Sequence, residues 1–376
     1  MTFRWIIDAK NDLTWYIGSA LAGWLYAGMV LLAAALLPNP LTDAFGVIHV
    51  GGIAIPLTLN LLVYSSWAYL LDAPHLWSTL ARTFLDPEER RLRRRELWLS
   101  WGWFLLGPAA VLLPYGAPAF LVFFRLWAYY HVVRQHWGFF VLYKRKNGDM
   151  DPGVSRVDFW FFHLALYLPL LLFVTGPVYA ATPGMLPLGL DRLPLVGALH
   201  LGAKVLLWAA LAGYAAFQVG LWRRGRPLNG PKLLFLLGVV PLHVAAVSSP
   251  WLAALLVPIV TVGHNLQYHR IVWMYGQNKY SGPGAAAAPR LIFSRFWLYA
   301  ALGLLFTFAL YRGPWIDWLS ASIGMMAGLR STAGLSLGQQ LFAVFLLGWA
   351  MQHYYLDAKI WRVSRDRDVA SQLRVE

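Results

Sequence analysis

A chain of 376 residues with 59% hydrophobic and only 13% charged side chains is too apolar for a soluble domain of that size. It has no cysteine, which excludes structural disulfides, zinc–thiolate sites, iron–sulfur clusters and cysteine nucleophiles. The net charge of +14 sits in alternate loops rather than in one patch, which fits membrane topology and contact with anionic lipids and argues against a nucleic-acid partner.

Apolar stretches of about twenty residues, the length a helix needs to cross a bilayer, recur throughout. They run over 13–38, 45–71, 97–115, 117–143, 157–180, 197–221, 232–248, 251–275, 291–311 and 335–361. The expected fold class is all-α: a polytopic membrane helix bundle of about ten transmembrane helices, one integral-membrane domain over 1–376, both termini cytoplasmic. Asp8, Lys10 and Asp12 before the first apolar run fit a retained span better than a signal peptide. The second stretch leads into 72–96, the largest expected cytoplasmic loop. There Pro87-Glu88-Glu89-Arg90 opens a short charged helix, and Arg90, Arg91, Arg93, Arg94 and Arg95 follow.

Lys144, Arg145 and Lys146 close the fourth stretch, Arg223, Arg224 and Arg226 the sixth, and Arg362, Arg365 and Arg367 the tenth. The opposite loops hold only Arg192, Arg312 and Arg330, the bias expected when basic loops stay in the cytoplasm of a bacterial-type plasma membrane. Tight turns are expected at Tyr115-Gly116 and Ser249-Pro250. Pro- and Gly-bearing loops near 181–196 and 312–334 are expected to cap the outer face. Gly282-Pro283-Gly284 with the following alanines reads as a low-complexity linker.

Ionisable groups inside such stretches are costly and mark function by default. His131 and His136 fall in the fourth, His163 in the fifth, His264 and His269 in the eighth, and His353 with Asp357 in the tenth. His131 lies 13 residues before Lys144, about 20 Å at the helical rise. The other six occupy overlapping depths in the cytoplasmic half. Each histidine alone is as readily explained by a hydrogen bond to a neighbouring helix. Agreement in depth from four helices favours one metal site.

His353 and Asp357 share a helix face, so the carboxylate can ligate or orient the ring. His131 and His136 are five apart, about 140° around a helix. Either a π-bulge brings them together or they serve different partners, and the same holds for His264 and His269. A loose internal echo joins HVVRQHWGFFVLYKRK from His131 to HNLQYHRIVWMYGQNK from His264. Asp357 apart, the acceptors are imidazoles, which suit iron or zinc better than magnesium or calcium. In this reading His131, His264, His269 and His353 bind the ion directly, and His136, His163 and Asp357 are further ligands or supports.

His49, His200 and His243 read as structural, and His75, after Asp72, as a surface residue or a further ligand left outside the set. Arg125, Arg134 and Arg270 read as snorkelling side chains or as binders of a substrate headgroup. Trp137, Tyr268, Trp273, Tyr354, Tyr355 and Trp361 crowd the histidines and read as packing or as the wall of an apolar pocket.

Histidines spread over several membrane helices resemble, in type, the integral-membrane non-haem iron enzymes: the membrane desaturases and hydroxylases and the bacterial carotenoid-cleaving Brp/Blh proteins. The spacings here are H-x4-H, H-x4-H and H-x3-D, not the desaturase HxxxH and HxxHH, so no residue role carries over. The resemblance implies mononuclear or dinuclear non-haem iron, a lipid or isoprenoid substrate, and an electron donor. Haem or zinc are the alternatives for the cofactor. A haem-binding electron carrier or haem-modifying protein, and a transporter with a histidine proton or metal relay, are the alternatives for function.

Overall fold

The computed structural model describes residues 3–50, 53–182, 193–311 and 336–375. They are mostly helical, and the chain folds as two compact units, Met1–Tyr64 with Val133–His264 and Ser65–Val132 with Asn265–Glu376.

In the first unit the long helices Pro152–Thr175 and Val196–Arg223 pack along each other. Asp151 caps the first by accepting from the Val154 amide, with Pro152 in the opening turn where its missing N–H costs nothing. Leu168, Ala203 and Leu207 form their shared core, and Phe161 stacks on Tyr214 at 3.7 Å between ring centres. Helix Ala20–Leu36 packs against helix Gly230–Ala246. It comes so close to helix Leu256–Tyr280 that a Cβ on Gly23 would lie 2.5 Å from the Ile259 carbonyl oxygen. Its other side is bare: Leu21, Leu25, Leu32 and Leu36 are exposed. So are Leu199, Leu201, Val205 and Trp208 of Val196–Arg223.

The second unit is built on helices Ala73–Thr83, Trp103–Val111, Phe296–Phe306, Leu337–Leu346 and Gly348–Ile360. Small residues let them approach. A Cβ on Gly107 would meet Val344 at 2.8 Å, and one on Gly348 would meet Phe104 at 2.6 Å.

Three helical segments are long and apolar enough to cross a membrane: Ala9–Leu36, Pro152–Thr175 and Val196–Arg223. A fourth is added if Ala287–Ser294 and Phe296–Tyr311, bent by 104°, count as one span. Ten such helices are not found among the described residues. The helices that carry most of the histidines explain part of the shortfall. Gly116–Lys146 has 31 residues and Leu256–Tyr280 has 25, ample length, but their polar side chains lower the mean hydropathy.

Two expected elements are corrected. The 45–71 stretch is not one helix: Ala44–Val50 and Ile53–Thr58 form an antiparallel hairpin, and helix Leu59–Trp67 follows. Two β-branched runs on either side of a Gly pair are a hairpin signal that overall apolarity concealed. The 72–96 segment is not a solvated loop. It holds helices Ala73–Thr83 and Pro87–Leu92 and the start of Arg94–Ser100. His75, Ser78, Thr79, Arg82 and Thr83 of the first are buried, because its polar groups find polar partners inside the unit. The charged helix expected from Pro87 is present. The turn at Tyr115 is present too, with φ of 57° at that residue. Arg192, Arg312 and Arg330 and most of the two expected outer loops lie outside the described residues.

Candidate metal centre

Helix Ala73–Thr83 supplies His75, helix Gly116–Lys146 His131 and helix Gly348–Ile360 His353, all within the second unit and all buried. One ring nitrogen from each of the three lies within 4.8 Å of the others, a buried group able to hold a metal ion.

The closest approach is between His131 Nε2 and His353 Nε2, at 3.1 Å. Two bare nitrogens do not face each other at that distance without a proton or a cation between them. Two imidazoles on one ion, with bonds of about 2.1 Å at angles near 90–110°, place their nitrogens about 3.0–3.4 Å apart. The separation therefore fits neighbouring ligands on one ion.

A second layer fixes the His353 ring. Thr79 Oγ1 is 2.6 Å from His353 Nδ1 and donates to Asp357 Oδ1 at 3.0 Å. Thr79 thus links Nδ1 to the carboxylate, and Nε2 is the ring nitrogen that faces His131. Tyr268 also donates to Asp357 Oδ1, at 2.5 Å. Asp357 thus acts on His353 through Thr79, and its own oxygen is 3.6 Å from Nδ1. Tyr354 covers the far side of His131, stacked at 4.5 Å.

Of the seven expected site residues, His131 and His353 fall in the group, and His264 is buried in the first unit, on helix Leu256–Tyr280. His136, His163, His269 and Asp357 fall outside the group. His269 Nδ1 pairs with Ser78 Oγ at 2.9 Å and Tyr299 OH at 3.1 Å. His136 lies in the first unit near His243, their rings 5.7 Å apart, and His163 is half-buried with Nδ1 on the Phe159 carbonyl. Both His-x4-His helices are α-helical through the pair, so the five-residue spacing sends each pair to different partners. The π-helical turns among the described residues lie instead at Asp12–Ile17, Ala68–Asp72 and Thr307–Tyr311, the second directly before the His75 helix. Arg134 is exposed, and Arg125 and Arg270 are half-buried.

His75, set aside as a surface residue or further ligand, is 2% exposed and stands at the centre, its ring 4.2 Å from that of His353. Thr79 and Arg82 were missed as well, and Tyr268, read as packing or pocket wall, donates to Asp357. Arg82 is fully buried between Tyr275 and Trp361, its guanidinium carbon 4.3 Å from each ring centre, and Nη2 donates to the Ile360 carbonyl. A signal for these residues was there: His75, Ser78, Thr79 and Arg82 follow one helical stripe.

No family model, curated protein or solved structure matches the chain.

Proposed function

We propose that the chain is a multi-pass membrane oxidoreductase holding one non-haem iron on His75, His131 and His353, in the cytoplasmic half of a bacterial-type plasma membrane. Its substrate is a lipid or isoprenoid, its electrons come from a separate donor, and ten crossings with basic loops in the cytoplasm remain the proposed topology. The observation that carries this reading is the buried all-imidazole group with two Nε2 atoms 3.1 Å apart. Iron binds such donors and supplies dioxygen chemistry at its open positions. The chain's own part is to keep the three rings neutral and aimed, to exclude water by burial, and to hold the His353 ring through Thr79 and Asp357.

Aromatic side chains support an apolar substrate. From half-exposed Phe123 they run to Trp127 at 5.5 Å, to Tyr354 at 5.7 Å and to His131 at 4.5 Å between ring centres. No carboxylate takes part in this line. The haem alternative fits less well. Axial ligands of one haem lie on opposite faces of the ring, about 4 Å apart, and 3.1 Å leaves no room for a macrocycle between His131 and His353.

Metal analysis and an optical spectrum of the purified full chain test the reading. Stoichiometric iron without a Soret band is expected, and His75→Ala and His353→Ala are expected to lose most of it while His163→Ala keeps it. Zinc in place of iron would remove the redox chemistry. A Soret band would restore the haem reading, and full metal in both histidine variants would place the site elsewhere.

A further inference from the structure

A second aromatic line leaves the histidine group, and it differs from the first in ending on acids. The ring of Tyr268 lies 5.2 Å from that of His353. Trp361 follows at 6.1 Å, with its Nε1–H 3.4 Å from the Tyr268 hydroxyl. Tyr275 is next, 5.7 Å from Trp361. Tyr275 OH donates to Asp368 Oδ2 at 2.9 Å, and that carboxylate is 43% exposed. Every member belongs to the second unit, so the whole line lies within one compact body.

Both tyrosines donate to a carboxylate: Tyr268 to Asp357 and Tyr275 to Asp368. A phenol loses its electron readily only if its proton has somewhere to go, and here each proton has an acceptor in hydrogen-bond contact. Trp361 between them has no carboxylate partner. The Arg82 guanidinium lies against its face and against that of Tyr275. A fixed cation disfavours positive charge on the indole and does not disfavour a neutral tyrosyl radical. The arrangement has two resting places and one transit point.

We propose that Tyr268, Trp361 and Tyr275 form an electron relay between the histidine group and the surface at Asp368. The proposal rests on the redox-active reading above, in which a dioxygen-derived oxidant is generated at the centre. Tyr268 gives up one electron inward and passes its phenol proton to Asp357. Trp361 refills Tyr268 with an electron while Asp357 returns the proton. Tyr275 refills Trp361 and passes its proton to Asp368. An external one-electron donor protein then reduces Tyr275, and Asp368 returns that proton. One electron has moved from donor to centre, and each proton is back where it began. Packing alone requires neither carboxylate at the ends nor a single file from buried to exposed.

The absence of cysteine gives a clean test. Ser371 is exposed in the same short helix as Asp368, and Ser371→Cys provides one attachment point for a ruthenium polypyridyl photo-oxidant. The labelled full chain, loaded with redox-inert zinc or left metal-free, is flashed with a sacrificial electron acceptor present and frozen for electron paramagnetic resonance. A tyrosyl signal is expected with a component that disappears in Tyr268→Phe. That component should also be lost in Trp361→Phe and in Tyr275→Phe, and should return in Trp361→Tyr, which restores a redox-active ring at the same place. Unchanged circular dichroism in Trp361→Phe and recovery in Trp361→Tyr separate the relay from packing. Absence of a Tyr268-dependent component in the parent would overturn the proposal. So would its persistence at full amplitude in Trp361→Phe or Tyr275→Phe. Because no iron is needed, failure here is distinct from failure of the iron reading, which the metal analysis decides.

Discussion

Each unit contains a buried polar cluster, and the two are balanced in opposite ways. In the first, Asp158 is completely buried and accepts from Lys144, from Lys232 at 3.2 Å and from Tyr214 at 2.7 Å. Lys232 also meets Asp149 at 2.7 Å. Two lysines face two aspartates, so formal charge cancels within the protein. In the second unit His75, His131 and His353 turn nitrogens toward one another, with one carboxylate set back behind Thr79. The first cluster is complete as it stands and reads as a clasp joining helices Gly116–Lys146, Pro152–Thr175 and Gly230–Ala246. The second gathers imidazole nitrogens that could hold a metal ion. Burial of ionisable groups therefore does not by itself indicate function; the informative property is whether the partners satisfy one another.

The comparison breaks most sharply at Asp158. Asp158→Leu leaves two buried ammonium groups facing an apolar side chain, and loss of one partner from a buried ion pair costs about 3–5 kcal/mol. Thermal unfolding of the purified chain should show that loss while bound metal per folded molecule stays unchanged. A metal-depleted but thermally normal Asp158→Leu protein would assign the first cluster to the centre instead.

Asp357→Asn should act in the reverse sense. The amide keeps the shape but changes the acceptor that orders Thr79 and the His353 ring. Outer partners of metal-bound histidines are worth about 10–100-fold in affinity. A competitive chelator titration should read a loss in that range with little change in unfolding temperature. Unchanged metal affinity would leave a centre that depends on histidine alone.

The smallest effect is expected at Lys279, which reaches Asp86 at 3.0 Å, Asp368 at 3.1 Å and Glu88 at 3.2 Å. Burial pushes the Asp86 carboxyl up, but Tyr280 and Lys279 outweigh it, and the group lies below its ordinary value. Asp368 is also lowered: burial raises it, and Gln372 and Lys279 outweigh that. Carboxyls depressed in the folded state stabilise it above the unfolded value of about 3.9. That stability is lost as pH falls below 3.9 through the lower folded values. Lys279→Met should shrink this acid-side loss, by about 0–1 kcal/mol for a pair as exposed as that with Asp368. An unchanged acid unfolding profile would mean that Lys279 contributes nothing there.

The sequence made the helical class and two of the three histidines clustered in the second unit legible, because buried polar residues stand out against apolar helices. Depth put His131 and His353 among the candidates, together with four other histidines. Depth does not give azimuth, so His136 could not be told from His131 without knowing which way the helix turned. His75 was hidden for a different reason. It lies on a helix of low mean hydropathy, and such a helix looks like a surface segment until its neighbours are known. Arg82 shares a helical stripe with His75, Ser78 and Thr79, but the aromatic rings that cover it lie far along the chain.

That arginine has a consequence for how the protein is made. The carbonyl that receives its guanidinium belongs to Ile360, 278 residues further on. At roughly 5–20 residues per second, a ribosome delivers Ile360 and Trp361 about 15–55 s after Arg82. For that interval the guanidinium has Glu89 within reach but lacks the carbonyl and the indole face that cover it in the folded unit. The Arg82 helix therefore reaches its final packing only after Ile360 and Trp361 have been made.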